Sequence, residues 1–225
     1  DFAAPVLIFI FAYYIHSFSL KTTIVKILQY LIVYAVLMTP WWIHQYQKYD
    51  SFVRLSLGDG IVWYAGNNPL NKSGGGIVIK NGVGDVSFES FSHIKDPIAK
   101  NSAMKQEAFS FIQKNPEVFL ELAGLKFARF WRLWPYAPEY NSLKYILLSL
   151  LSYGSILVLF IIFIMRYLKQ YFRRVLPLLF LICYLTLIHM ILISSIRYRL
   201  PIEPFMIILA SYSFVQFFRK YLPNE

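Results

Sequence analysis

With 225 residues, 57% of them hydrophobic and only 15% charged, the chain is too apolar for an ordinary soluble domain. The net charge of +10 invites a nucleic-acid reading, but the basic residues sit in short loops between apolar runs, which argues against it. Cys183 is the only cysteine, which excludes a disulfide within the chain.

Apolar stretches of about 20 residues match a bilayer core of about 30 Å. Five qualify: Phe2–Leu20, Ile24–Ile43, Tyr145–Met165, Val175–Ile196 and Leu200–Phe218. The start lacks the basic region of a cleavable signal peptide. Because the first residue is Asp1, the sequence reads as the later part of a longer protein. The expected fold is therefore membrane α-helical, with five transmembrane helices and a small α+β outer segment between the second and third. Residues 1–43 hold two spans, 44–144 form the outer segment and 145–225 hold three spans.

Sidedness follows the bias of Lys and Arg toward cytoplasmic loops. Lys21, Lys26, Arg166, Lys169, Arg173, Arg174, Arg219 and Lys220 have only Glu225 as an acidic neighbour. Alternating spans put all eight on one face, the cytoplasmic one, together with the C-terminus. The segment 44–144 carries twelve basic and nine acidic residues and lies opposite.

Trp41 and Trp42 close the second span, as aromatic residues at an interface do. His44 follows them and is a candidate hydrogen-bond donor or acid/base group. "FVRLSLGDGIVWYAGNNP" reads as a hairpin: Phe52–Leu57, a Gly58-Asp59-Gly60 turn, then Ile61–Ala65. Loops rich in turn formers follow at "GNNP" and "NKSGGG". Neither has the spacing of a phosphate-binding Walker loop. Backbone near Gly66, Asn67 and Asn68 suits close approach to a sugar or phosphate, and an ordinary turn explains it equally. Asn71-Lys72-Ser73 is a glycosylation sequon, meaningful only in a secretory pathway.

Asp96-Pro97 and Asn115-Pro116 are helix starts, a capping side chain followed by Pro at the first helical position. Met104, Ala108, Phe111 and Ile112 form the apolar stripe of the first helix. The second places Phe119, Leu122, Ala123, Phe127, Phe130, Trp131 and Trp134 on one side, with Glu121, Arg129 and Arg132 on the other. It suits either a helix lying among headgroups or packing against the hairpin.

Arg197 and Arg199 end the fourth span, at the outer mouth, where charge bias disfavours them. Pro201 pushes Leu200 out of the helical region, and Pro201 and Pro204 suit the start of the next helix. If 197–200 is extended, both guanidiniums face one anion, and Arg binds phosphate bidentately. Two other roles stay open: snorkelling to headgroups, and an ion pair of one arginine with Glu203. His16 and His189 lie inside spans. No spacing of His, Cys and carboxylates argues for a metal, and no cofactor is expected, although a divalent cation is not excluded.

Four motifs occur in order: "TPWWIHQY", "FVRLSLGDGIVWYAGNNP", "NPEVFLELAGLKFARFW" and "RYRLPIEPF". Together they resemble the C-terminal half of bacterial glycosyltransferase family 39, the dolichyl-phosphate-mannose protein mannosyltransferase-like membrane proteins. The resemblance implies a C-type glycosyltransferase fold in a bacterial inner membrane, with residues 44–144 periplasmic. It implies transfer of a sugar from a polyprenyl-phosphate donor to a lipid, glycan or protein acceptor on the outer face. The family's catalytic acidic residues lie in a first outer loop, upstream of this sequence. Arg197, Arg199 and Pro201 match its closing Arg-x-Arg-x-Pro pattern, which implies donor-phosphate binding by the two arginines. Gly66, Asn67, Asn68 and Pro69 match its Gly-Asn-Asn-Pro turn. Substrate contacts are expected from His44, Gly66, Asn67, Asn68 and Tyr198. The family's Ile-Arg-Asn is Ile43-His44-Gln45 here, so His44 stands where an anion-binding Arg is usual. Other readings are a lipid-linked polysaccharide polymerase or ligase, or a non-catalytic transporter or scaffold. The paired broken helices of a transporter would give an internal repeat, and the sequence has none.

Overall fold

Ser19 opens the first long helix by accepting a hydrogen bond from the Thr22 amide at 3.4 Å, and Asp50 closes it in the left-handed conformation. A computed structural model describes this protein at residues 7, 11, 13, 19–75, 88–136, 140 and 142–219. The helix, α1, spans Leu20–Tyr49, and of its residues only Thr23 and Gln45 are buried. Ile24, Leu28, Ile32, Val36 and Leu37 are exposed along its length. Such a surface is tolerable in lipid and not in water. Pro40 removes the amide that would bond the Val36 carbonyl, at the level where the helix leaves its apolar stretch.

Beyond α1 the expected hairpin is absent, and no strand occurs among the described residues. The carbonyls of Arg54 and Leu55 accept from the indole N–H groups of Trp42 (3.0 Å) and Trp41 (3.1 Å), not from a partner strand. Asp59–Gly66 is a helix, α2. Its Ile-Val-Trp-Tyr run favours strand locally, but packing overrides that preference. Gly60 lies so close to the neighbouring helix that a Cβ would sit 2.2 Å from the Asn101 carbonyl oxygen. Tyr64 and Ala65 are buried there with Phe91 and Met104.

The neighbouring helix, α3, is Pro97–Lys114, capped as expected: the Asp96 carboxylate accepts from the Ile98 and Ala99 amides. Met104, Ala108 and Phe111 are its buried face. Helix α4 is Pro116–Phe130. Its Asn115 makes no side-chain cap; the amide instead donates back to the Phe111 carbonyl and ends α3.

The remaining chain holds the other apolar helices. Leu143–Arg166, α5, is continuous with a π-helical turn at Leu150–Gly154. Leu168–Ile191 is α6 and Glu203–Arg219 is α7, with a 3-10 turn at Ile196–Arg199 between them. Phe160 and Phe163 of α5, Val175, Ile182 and Leu185 of α6, and Ile202, Met206, Leu209 and Ala210 at α7 share one core with Phe130 of α4.

Three helices among the described residues are long and apolar enough to cross a bilayer: α1, α5 and α6. The expectation of five is corrected at the last span. At 17 residues α7 is about 26 Å long, less than a bilayer core. The expected span Phe2–Leu20 lies outside the described residues, apart from Leu7, Phe11, Tyr13 and the Ser19-Leu20 start of α1. The described residues of the intervening segment are helix, turn and loop, with no strand, so the expected α+β character is not found there. The protein is thus an all-helical membrane protein over its described residues.

Candidate functional site

The C-terminal end of α6 is where the intervening segment meets the apolar helices. Gly66 makes this possible, because a Cβ there would stand 1.9 Å from the Leu192 carbonyl oxygen. The absence of a side chain lets the end of α2 lie directly on the end of α6.

Asn67 is fully buried at that contact. Its amide N–H₂ donates to the carbonyls of Trp63 (3.1 Å) and Ile191 (3.0 Å), and its side-chain oxygen accepts from Lys126 at 3.0 Å. Asn68 donates to Tyr64 and Ala65 carbonyls and accepts from the Leu70 and Asn71 amides. Asn71 donates to Ala65, Gly66 and Gly75 carbonyls and accepts from the Ser73 and Gly74 amides. The amides of Asn68 and Asn71 are thus spent on local backbone, as in a satisfied buried turn, whereas Asn67 also reaches Ile191 and Lys126. Gly74, at φ +68°, brings the turn against α4, where a Cβ would be 3.0 Å from the Lys126 nitrogen.

Lys126 was missed in the sequence, although its spacing from Leu122 and Phe130 puts it on the buried face of α4. That face is Leu122, Ala123, Lys126 and Phe130, while Phe127 is exposed. Lys126 is 0% exposed, and its ammonium donates to Asn67 Oδ1 and to the Ile191 carbonyl at 3.1 Å. Both acceptors are neutral. Burial holds its pKa down, to about 8. The Ser194 hydroxyl donates to the Lys126 carbonyl at 2.7 Å, fixing the chain after α6 to α4 as well.

The arginines diverge. The expected extended stretch is a 3-10 turn, Ile196–Arg199, started by Ser195. Three residues per turn set positions two apart about 120° from each other, so one faces in and one out. Arg199 is buried and Arg197 is exposed. Arg199 Nε donates to Glu203 Oε1 at 2.8 Å, and Nη1 donates to the carbonyls of Phe130 (3.2 Å) and Arg132 (2.8 Å). Its guanidinium lies 3.3 Å from the ring centroid of Tyr153, in the π-helical turn of α5. Arg199 therefore fastens the end of α4 and the start of α7 to the π-helical turn within α5. The structural ion pair with Glu203, one of the roles left open, is the arrangement present.

Tyr198, half-buried, stacks on His189 with ring centroids 4.5 Å apart and planes 3° apart; Phe130 lies on the same histidine at 5.7 Å. His189 Nδ1 is 3.0 Å from the Ile193 carbonyl, which only accepts, so Nδ1 carries the proton. Arg132 lies over Trp134 and Tyr136, each at 4.8 Å. His44 stands apart: it is exposed near the end of α1, and its described ring contact is with Trp41 at 6.0 Å. The structure thus brings Gly66, Asn67 and Asn68 to the end of α6, with Tyr198 and Arg199 on the turn that follows it, but not His44.

Beside this junction runs an apolar groove of about 340 Å³ between α4 and α6, walled by Phe127, Trp131, Ile182, Thr186 and Met190 among others. Among the described residues no three His, Cys, Asp or Glu side chains come together. Comparison with protein-family models, curated proteins and solved structures finds no match to this chain.

Proposed function

We propose that the chain belongs to an integral membrane glycosyltransferase that draws a sugar from a polyprenyl-phosphate donor, with Arg197 contacting the departing phosphate. The observation that carries this reading is that Arg197 is exposed on a turn whose neighbours are immobilised. Arg199 is tied to three elements, Tyr198 is stacked on His189, and Ser194 is bonded to α4. A cation carried on a fixed stretch of backbone meets charge that grows on a leaving oxygen with less reorganisation than one on a mobile loop. The groove between α4 and α6 offers an apolar wall for a lipid tail whose phosphate stays at the helix ends. The acceptor is a lipid, glycan or protein. Activation of its hydroxyl calls for a carboxylate acting as general base.

In this scheme Arg199 acts through the fold and Arg197 through the substrate. The test is transfer of label from polyprenyl-phosphate sugars by the intact protein in membranes. Arg197→Ala is expected to lower turnover about 100-fold, the loss of about 3 kcal/mol of transition-state stabilisation, with folding unchanged. Arg197→Lys keeps the charge but not the fork and is expected to fall between. Equal turnover in Arg197→Ala, or no transfer by the intact protein, refutes the reading.

A further inference from the structure

At the opposite end of α5 and α6 a single residue, Tyr167, separates the two helices. Arg166 precedes it, and Lys169, Arg173 and Arg174 follow, all exposed. The sequence has no acidic residue between Glu139 and Glu203, and these four cations have no carboxylate partner among the described residues.

The helix geometry sorts this stretch into two faces. Lys169 and Arg173 are four residues apart, as are Gln170 and Arg174, so the four line one broad side of the first turns of α6. Tyr171 and Val175 point the other way: Val175 is in the core, and the Tyr171 hydroxyl is 2.7 Å from that of Tyr212 on α7. Tyr167 packs edge-on against the same Tyr212 at 5.2 Å. Arg219, exposed at the end of α7, acts electrostatically on Tyr212 and so adds a fifth cation to this end. The basic face is thus rigidly backed by aromatic packing.

The surface at Lys169, Gln170, Phe172, Arg173 and Arg174 is open, with space of about 580 Å³ around this turn of the helix. Phe172, 47% exposed, puts an apolar ring among the cations. The patch lies at the end of two apolar helices, at the depth where headgroups sit, so a ligand with an anionic head and an apolar tail meets both kinds of wall.

We propose that this face binds an anionic diacyl phospholipid, its phosphodiester held by Lys169, Arg173 and Arg174 and an acyl chain against Phe172. A choline lipid is disfavoured, because its own quaternary ammonium would face the same cations. The proposal is independent of the transferase reading.

The test is native mass spectrometry of the detergent-solubilised protein, titrated with phosphatidylglycerol or with phosphatidylcholine of the same acyl chains. In detergent, membrane orientation plays no part. Phosphatidylglycerol is expected to be retained preferentially. Arg173→Gln with Arg174→Gln is expected to weaken its binding about 30-fold, from roughly fivefold for each charge. The double Lys variant is expected to stay within a few fold of the parent. Equal retention of the two lipids, unaltered binding in the Gln variant, or a loss in the Lys variant as large as in the Gln variant overturns the proposal. If the Gln variant does not fold, the parent's own salt dependence decides: binding that does not weaken as salt rises overturns it.

Discussion

Raising the pH from 7 to 10 is expected to stabilise the protein through Lys126, the reverse of what alkali does to most folds. Its ammonium is 0% exposed and meets two neutral acceptors, Asn67 Oδ1 and the Ile191 carbonyl, with no carboxylate among the described residues to offset desolvation. Burial lowers the pKa from 10.5 to about 8. Between those values the unfolded chain binds more protons than the folded one, so stability increases with pH. Below about 8 the whole penalty is present; it fades as the pH climbs toward 10.5. A gap of about 2.5 pH units at about 1.4 kcal/mol each is about 3 kcal/mol, most of it recovered by pH 10. The neutral amine still has N–H groups for both acceptors. Thermal-unfolding midpoints in detergent, measured from pH 7 to 10 for the parent and for Lys126→Met, isolate the effect from tyrosine ionisation common to both. The variant removes the buried charge but orphans Asn67 Oδ1, at a cost of about 1–3 kcal/mol. It is expected to lie within about 2 kcal/mol of the parent at pH 7 and to lose the alkaline rise. An equal rise in both proteins, or none in the parent, refutes the reasoning.

Arg199→Met is expected to destabilise the fold by about 3 kcal/mol, because it leaves Glu203 and the carbonyls of Phe130 and Arg132 without their donor; the same midpoint measurement reads it. Gly66→Ala is expected to cost at least about 3 kcal/mol, since the new Cβ would meet backbone, not a yielding side chain. Limited proteolysis within residues 66–75 is expected to accelerate in that variant, and unchanged cleavage counts against the close approach of α2 to α6.

The apolar helices are legible because a bilayer demands long runs with little charge, and α1, α5 and α6 each contain an 18-residue stretch that meets that demand. The start of α3 was legible too, since Asp96 and Pro97 act through their immediate neighbours. The stretch 52–65 was not. Gly58-Asp59-Gly60 beside Ile-Val-Trp-Tyr has the local character of a hairpin, and what decides otherwise is remote: Asn101 against Gly60 and Leu192 against Gly66. At the candidate site, the alternatives for Arg199 included its true partner Glu203, but a 3-10 turn was not foreseen, so the two arginines were expected to point together. The asparagines of the Gly-Asn-Asn-Pro turn look like ligands in sequence because their backbone acceptors are invisible there. Lys126 needed only helical periodicity to be found, and was overlooked because lysines are expected on wet faces.

Helix α1 is exposed along most of its length, whereas two indole N–H groups join its far end to the loop that follows. Among the described residues its midsection therefore meets little that an exchange of one greasy residue for another would disturb. Trp41 and Trp42 have no such latitude: a phenylalanine at either place keeps the bulk, drops the bond, and loosens the tether between membrane arm and headpiece.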